Sequence, residues 1–502
     1  WSNTLSYLTT FNNIHHLDFL AGYEIDDTYN DYLSGEAYNF TTPDKHAISN
    51  GMKTVSVGGS DSRYRLVSYL SRLNYDYKNK YYLGASFRVD GSSRLHRNNR
   101  WGTFWSVSGA WRTIEEEFMQ PVKDWLTDLR IRASYGVNGT LPSDYFGYMG
   151  LSSISGGYLE QPGIQMSQIA NPNLKWETNY NMNIGLDFGF WDRLNFTIEY
   201  YTRTTKNLLM DCPVSMTTGF SSYLMNIGEV KNKGIELTIN STNIKIKDFN
   251  WNTTFNLGHN SNKVVKLDGE QTQIVSGTQI HKVGSSYRTF YVQEFAGINP
   301  ETGNPLFYTN ELDENGNYIK EITENSKNAQ FIPYKHAEPT VNGGISNSLR
   351  YKWLDLNFLF SYQFGGYSYD TWAQKTEHGG YDSYANIPTY YRDSWKKPGD
   401  QTNIEVYMPG KSSSVSMHKI TSSRRIHSTD YFRLKNITFG ITLPKEWTNK
   451  INIGNVRFYA SASNLWTWAA YDNYDPEAVS AGSATQTTPP LKTVTFGLNI
   501  NF

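Results

Sequence analysis

Tyr180-Asn181-Met182-Asn183-Ile184-Gly185-Leu186-Asp187-Phe188-Gly189-Phe190 sorts its side chains strictly by position. Met182, Ile184, Leu186, Phe188 and Phe190 fall on one side of an extended chain, and Asn181, Asn183, Gly185, Asp187 and Gly189 on the other. That is the period-two signature of a β-strand. After the short turn Trp191-Asp192-Arg193 the pattern returns, with Leu194, Phe196, Ile198 and Tyr200 opposing Asn195, Thr197, Glu199 and Tyr201. A soluble sandwich also alternates, but its strands average about 5–6 residues, whereas crossing a bilayer takes about 9–11. The strands here are long, and their second face is polar enough for water. The expected fold is therefore all-β, a transmembrane antiparallel β-barrel with lipid on one face and a wet lumen on the other.

Working outward, the same alternation runs over Leu17 to Ile25, Val67 to Tyr77, Tyr81 to Asp90, Leu129 to Asn138, Ile235 to Asn240, Trp251 to Leu257, Leu354 to Phe364 and Tyr431 to Leu443. Short connections such as Tyr77-Lys78-Asn79-Lys80, Lys247-Asp248-Phe249 and Tyr351-Lys352-Trp353 alternate with long ones. The long ones are read as loops: Asp27 to Asp61, Gly139 to Trp176, Lys206 to Lys231, Asn260 to Thr340, Gly366 to Thr429 and Ala469 to Pro490. Tight periplasmic turns and extended extracellular loops give this asymmetry. The count is about 15 strands, with a further pair near Ser286 to Ala296. An odd number in a single-chain barrel implies a start outside the cell and at least one preceding strand. One helix is expected, opening on Thr113-Ile114-Glu115-Glu116 as a capping box and running through Pro121 to Leu129. At the end, Val494, Phe496, Leu498, Ile500 and Phe502 alternate with Thr495, Gly497, Asn499 and Asn501. A last strand ending in an aromatic resembles the assembly signal of outer-membrane barrels, which assigns that role to Phe496, Leu498, Ile500 and Phe502.

Composition bounds the rest. The chain has 502 residues, 15% aromatic with 37 Tyr, and 46 basic against 47 acidic residues for a net charge of −1. That balance leaves no long-range field to gather nucleic acid. Mean hydropathy of −0.57 fits a barrel, whose strands show lipid only every second residue. No apolar run reaches the roughly 18 residues of a membrane-spanning helix. Cys212 is the single cysteine, which excludes an internal disulfide and a multi-cysteine metal site. The first residues show neither an initiator Met nor a signal-peptide pattern, so Trp1 is read as lying within mature protein.

The chain carries no nucleophile elbow, zincin motif, phosphate loop or dinucleotide fingerprint, so no catalytic residue, cofactor or metal is assigned. His15 and His16 point to opposite sides of an extended chain, and a loop or turn pair suits them better than a metal site. Asp313-Glu314-Asn315-Gly316-Asn317 has its Gly too early for a calcium loop and reads as an Asx-rich turn. The functional lead is aromatic. Tyr367, Tyr369, Trp372, Tyr381, Tyr384, Tyr390, Tyr391 and Trp395 crowd one long loop among Asp370, Glu377, Asp382 and Arg392. Flat amphipathic rings among polar groups suit contact with a sugar or peptide chain or with a protein lid, and equally suit an aromatic girdle and packing of the loop on itself.

Five motifs, in order, carry a family resemblance: Leu129-Arg130-Ile131-Arg132-Ala133-Ser134-Tyr135-Gly136; Asn171-Pro172-Asn173-Leu174-Lys175-Trp176-Glu177-Thr178; Gly228-Glu229-Val230-Lys231-Asn232-Lys233-Gly234-Ile235-Glu236-Leu237; Tyr431-Phe432-Arg433-Leu434-Lys435-Asn436-Ile437; and Ser463-Asn464-Leu465 followed by Tyr474-Asp475-Pro476-Glu477. Over nearly its whole length the chain resembles the SusC/RagA-type branch of TonB-dependent outer-membrane transporters. The resemblance implies a 22-stranded barrel of which residues 1–502 form the C-terminal portion, about the last 15 to 17 strands, with the plug and first strands outside this sequence. It implies active import of oligosaccharides or oligopeptides, a SusD-like surface lipoprotein as lid, coupling to TonB, contact with outer-membrane lipid and a dimer of the transporter–lipoprotein complex. A passive porin or a structural adhesin barrel is the rival reading, and a soluble β-rich enzyme a more distant one.

Overall fold

The computed structural model describes residues 1–501 except 46, 159–160, 268–271, 382–385, 411–416, 418, 449, 451–452 and 486. Fifteen strands hydrogen-bond in chain order: Ser2–Phe11, His15–Phe40, Gly51–Tyr77, Tyr81–Ser92, Trp101–Trp111, Leu126–Thr140, Glu177–Phe190, Leu194–Lys206, Glu229–Lys245, Phe249–Lys266, Val341–Tyr351, Leu354–Phe364, Tyr431–Thr442, Asn455–Ala469 and Thr493–Asn501. Every neighbouring pair with a described register is antiparallel. The number of strands matches the sequence reading.

The wall is built inside out relative to a soluble sheet. Along Tyr81–Ser92 the exposed positions are Tyr81, Leu83, Ala85 and Phe87, while Tyr82, Gly84, Ser86 and Arg88 on the other face are partly covered. The polar face is internally bonded. Ser86 meets Ser106 at 2.6 Å, and Arg88 donates to Asp90 at 2.7 Å and to Ser68 at 2.8 Å. Asp187 accepts from Arg130 at 3.1 Å and from Thr197 at 2.9 Å, and Arg457 reaches Asp355 at 2.6 Å. Aromatic rings bracket the apolar band. Tyr77, Tyr81 and Trp111 adjoin one another at the short-turn end, and Tyr23, Tyr69 and Trp101 at the other. Trp101 pairs with Gly91, ten residues beyond Tyr81. At about 3.3 Å per residue and a tilt near 40° that spacing spans about 25 Å of depth, the height of a barrel's lipid-facing band.

The chain divides into two compact units, Trp1–Arg112 with Arg132–Asn183 and Arg203–Glu229, and Thr113–Ile131 with Ile184–Thr202 and Val230–Phe502. The first has a small core at the strand ends, where Leu95, Phe104, Leu174 and Trp176 pack with Leu66, Leu141 and Tyr148. This accounts for the Asn171–Thr178 motif. Trp176 Nε1 donates to the Arg100 carbonyl at 2.9 Å, Asn171 Nδ2 to the Leu224 carbonyl at 2.8 Å, and Asn226 exchanges hydrogen bonds with both Lys175 backbone groups. In the second unit Gly234 lies under the Tyr201 ring. A Cβ there would sit 2.3 Å from the His259 carbonyl and 2.6 Å from Tyr201, so only glycine fits.

Several loop expectations are corrected. Asp27 to Asp61 is a long hairpin, since His15–Phe40 and Gly51–Tyr77 stay paired from His15↔Tyr77 to Phe40↔Gly51. Beyond the lipid band its faces mix charge and aromatic residues, so periodicity alone could not mark it as strand. His15 and His16 open that first strand rather than a loop; His15 Nδ1 lies 2.7 Å from the Tyr75 hydroxyl and His16 Nδ1 3.0 Å from Thr10 Oγ1. The pair near Ser286 to Ala296 is not wall. Thr289–Gln293 belongs to a four-stranded loop sheet with Gln273–Ser276, Gln279–Lys282 and Phe331–His336, and Phe295–Ile298 to another with Pro305–Tyr308 and Ile322–Thr323. Phe290 and Val292 are fully buried, which a lipid-facing strand would not allow. The expected helix is two 3₁₀ turns, Thr113–Glu115 and Glu117–Val122, and the strand already begins at Leu126. Pro121 supplies no N–H, and the alternation from Leu129 onward favours the sheet. The Asp313 turn is as expected, with Oδ1 accepting from the Asn315 and Asn317 N–H groups at 2.8 Å each.

Candidate functional site

In the second unit the long loops fold into a layer with cores of their own. Phe290, Val292, Tyr369 and Ile426 form one, and Phe307, Ala329, Met417 and Ile420 another. The loop aromatics divide accordingly. Tyr369 and Tyr391 are buried and build the layer rather than its surface. Trp395 ties two segments together through its Nε1 donor to the Pro300 carbonyl at 2.7 Å. Tyr367 and Tyr381 lie beneath Lys335 and Lys419, 5.3 and 5.1 Å from the ring centres. Tyr384 lies outside the described residues, as does Phe502. Phe496, Leu498 and Ile500 are exposed along Thr493–Asn501, on the face expected for lipid.

Trp372 and Tyr390 remain, and both line open space. A hollow of about 300 Å³ is walled by Trp372, Tyr390, Ile387, Pro388 and Asn473, and an adjoining one of about 670 Å³ by Trp372, Asp370, Thr467, Asn473, Thr485 and Thr487. Trp372 is the second residue of the helix Thr371–Thr376, whose N-cap is Asp370: Oδ1 accepts from the Ala373 N–H at 2.7 Å. Asp370 Oδ2 accepts from the Tyr471 hydroxyl at 3.1 Å, and Tyr471 stacks on His427 at 3.7 Å with planes 3° apart. Burial pushes His427 down to about 4, holding the ring neutral, and pushes the Tyr474 hydroxyl beside Ser368 up to about 12. Glu377 is gripped by Arg424, Arg425 and the Tyr390 hydroxyl, and burial drives Tyr390 up to about 12.

A buried ion cluster holds the far wall of this groove. Arg433, 2% exposed, donates to Asp475 at 2.5 Å, to Glu477 and to Thr467 Oγ1 at 3.0 Å. Lys435 and the Tyr431 hydroxyl also bind Glu477, at 2.8 and 3.0 Å. Two motifs separate in sequence, Tyr431–Ile437 and Tyr474–Glu477, thus close on each other. Sequence reasoning named both motifs and Asp370 but not the pairing of the motifs, nor Asn473, Thr485 and Thr487. The available signal was an alternating Arg433/Lys435 pair on a polar strand face facing two acids in one loop.

The first unit has a hollow of about 740 Å³ against its wall, lined by polar residues such as His16, Asp18, Asn74, Asp76, Ser108 and Arg132 together with their apolar neighbours Leu17, Leu83 and Ala133. Among the described residues no cluster of His, Cys, Asp and Glu could hold a metal, and no helix is long and apolar enough to cross a membrane.

Comparison with known proteins fits this architecture. The family model described as TonB dependent receptor-like, beta-barrel, matches residues 1–318. The chain belongs to this family. As a TonB-dependent receptor-like chain of the SusC/RagA type, it is an outer-membrane β-barrel protein. It is 32% identical over 531 residues to TonB-dependent receptor P3 of Formosa agariphila, an alignment covering all of this chain and 52% of that protein. It is 30% identical over 496 residues to TonB-dependent receptor SusC of Bacteroides thetaiotaomicron, covering 94% of this chain and 47% of that one. A solved chain of the RagAB peptide transporter superimposes with a TM-score of 0.87 at 28% identity, over all of this chain and 55% of that one. The chain spans about half the length of the relatives it matches.

Proposed function

We propose that this receptor-like chain supplies barrel wall and recognition loops to a transporter that imports oligomeric nutrients across the outer membrane, driven through TonB and closed from outside by a SusD-like lipoprotein. The observation carrying this reading is a folded loop layer in the second unit with an open groove at Trp372, in a chain whose wall strands carry one polar and one apolar face. A pore that merely sieves needs no such layer, whereas a machine that captures a large solute before moving it does. Membership in a TonB-dependent family and the similarity to a chain of the RagAB peptide transporter support the same reading.

The test is uptake of labelled oligosaccharides and oligopeptides by cells with and without the gene, each with the proton gradient intact and collapsed. Gene-dependent uptake that stops with the gradient, and a lipoprotein recovered with the transporter after gentle solubilisation, are expected. Uptake that survives collapse of the gradient would favour a passive porin, and no uptake of either class would favour a structural barrel.

A further inference from the structure

The groove at Trp372 has a chemistry that discriminates between oligomers. Its two hollows share Asp370, Trp372 and Asn473, so the indole stands at their junction with 41% of its surface exposed. The strongest charges nearby are committed. Asp370 caps a helix and accepts from Tyr471, and Arg433 is held by Asp475 and Glu477. Two rim charges, Asp472 and Lys492, are opposite in sign. The rest of the wall is Thr467, whose hydroxyl accepts from Arg433, Asn473, which donates to the Tyr471 hydroxyl, Thr485, and Thr487, which donates to the Thr485 carbonyl. Each of these side chains both donates and accepts and keeps hydrogen-bonding capacity beyond those contacts.

Groups that both donate and accept match hydroxyls, which do the same, and an exposed indole offers a flat face to the C–H face of a pyranose ring. An extended peptide asks for something different: a long free strand edge for its backbone and pockets or countercharges for its side chains. The strand beside this groove, Ser483–Ala484, has two residues and offers little edge to extend. Hollows of about 670 and 300 Å³ fall in the range of about 300–1,000 Å³ typical of small-ligand sites.

We propose that the Trp372 groove is a subsite for an uncharged oligosaccharide, stacked on the indole and held by the threonine and asparagine wall. This rests on the import reading and narrows its substrate class. The test uses the full-length transporter with its lipoprotein, purified in detergent, and two probe sets: short neutral glucan, mannan, xylan and galactan oligomers, and a pool of mixed oligopeptides. Binding is followed by tryptophan fluorescence and calorimetry. At least one neutral glycan is expected to bind, with Trp372→Ala weakening it about tenfold or more (about 1.4 kcal/mol) and Thr485→Val acting in the same direction. Trp372→Phe should retain part of the affinity. Unchanged yield and lipoprotein co-purification would show that Trp372→Ala folds; if it does not, Trp372→Phe and Thr485→Val carry the test. Peptide binding that depends on Trp372, glycan binding indifferent to these variants, or no glycan binding would overturn the subsite. Energy-dependent peptide uptake with Trp372 dispensable would do so while leaving the import reading intact, whereas loss of all gene-dependent uptake would strike the import reading itself.

Discussion

Replacing Arg433 with Met should release the 470–490 loop without unfolding the barrel. Arg433 is 2% exposed and spans two carboxylates, Asp475 at 10% and Glu477 at 21% exposure, with Thr467 as a third acceptor. Breaking a buried ion pair by removing one partner costs about 3–5 kcal/mol. Here the orphaned carboxylates keep other partners: Glu477 retains Lys435 and Tyr431, and Asp475 still accepts from the Glu477 N–H at 2.9 Å. The cost therefore falls to about 2–3 kcal/mol, a roughly 30- to 150-fold gain in local opening. Hydrogen exchange in detergent reads this directly. Amides of 470–485 should exchange faster by that factor in Arg433→Met, and by less in Arg433→Lys, which keeps the charge but loses the two-armed fork. Exchange in Tyr81–Ser92, a wall strand of the first unit that does not pair with the strand of Arg433, should not change. Equal protection of 470–485 in wild type and Arg433→Met would refute the clasp, and loss of protection throughout the wall would show that Arg433 supports the barrel instead.

Phe87→Arg places a charge on the exposed face near mid-band and should cost about 2–4 kcal/mol, read as a lower urea midpoint for unfolding from lipid, whereas Ser86→Arg on the other face should cost less. Gly234→Val drives a side chain into the His259 carbonyl and the Tyr201 ring and should cut the yield of heat-resistant folded barrel; Tyr201→Ala in the same chain should recover little of it, because the carbonyl clash remains. His427 stays neutral in the folded loop down to about pH 4, whereas an unfolded loop takes up its proton near the ordinary histidine value of 6.5. The unfolded state then binds more protons, so loop stability falls as pH drops from 6.5 toward 4 and is fully present above that window. Protease resistance of the loop layer should follow this curve, and His427→Gln should flatten it.

The wall was legible in the sequence and much of the loop layer was not, for one physical reason. A lipid-facing strand must alternate over about ten residues, which leaves a pattern such as Met182 to Phe190 that nothing else produces so cleanly. Loop strands such as Thr289–Gln293 are five residues long and covered on both faces, so they carry no alternation and imitate any buried segment. The long hairpin Asp27 to Asp61 hid for the complementary reason: beyond the membrane both of its faces meet water. The candidate site was half legible. Aromatic density marked the right loop, but density cannot tell Tyr369, which is core, from Trp372, which lines the groove. The residues that complete the groove come from a second loop about a hundred residues later, and only the fold brings Asn473 and Thr485 beside Trp372.

The most direct test of the inside-out wall is a cysteine scan of Tyr81–Ser92 in a Cys212→Ser background, reconstituted in lipid and probed with a water-soluble thiol reagent and a lipid-borne quencher. Cysteines at Leu83, Ala85 and Phe87 should resist the aqueous reagent and be quenched from lipid, while those at Gly84, Ser86 and Arg88 should label from water in strict alternation. Labelling without alternation, or with its phase reversed, would contradict the account.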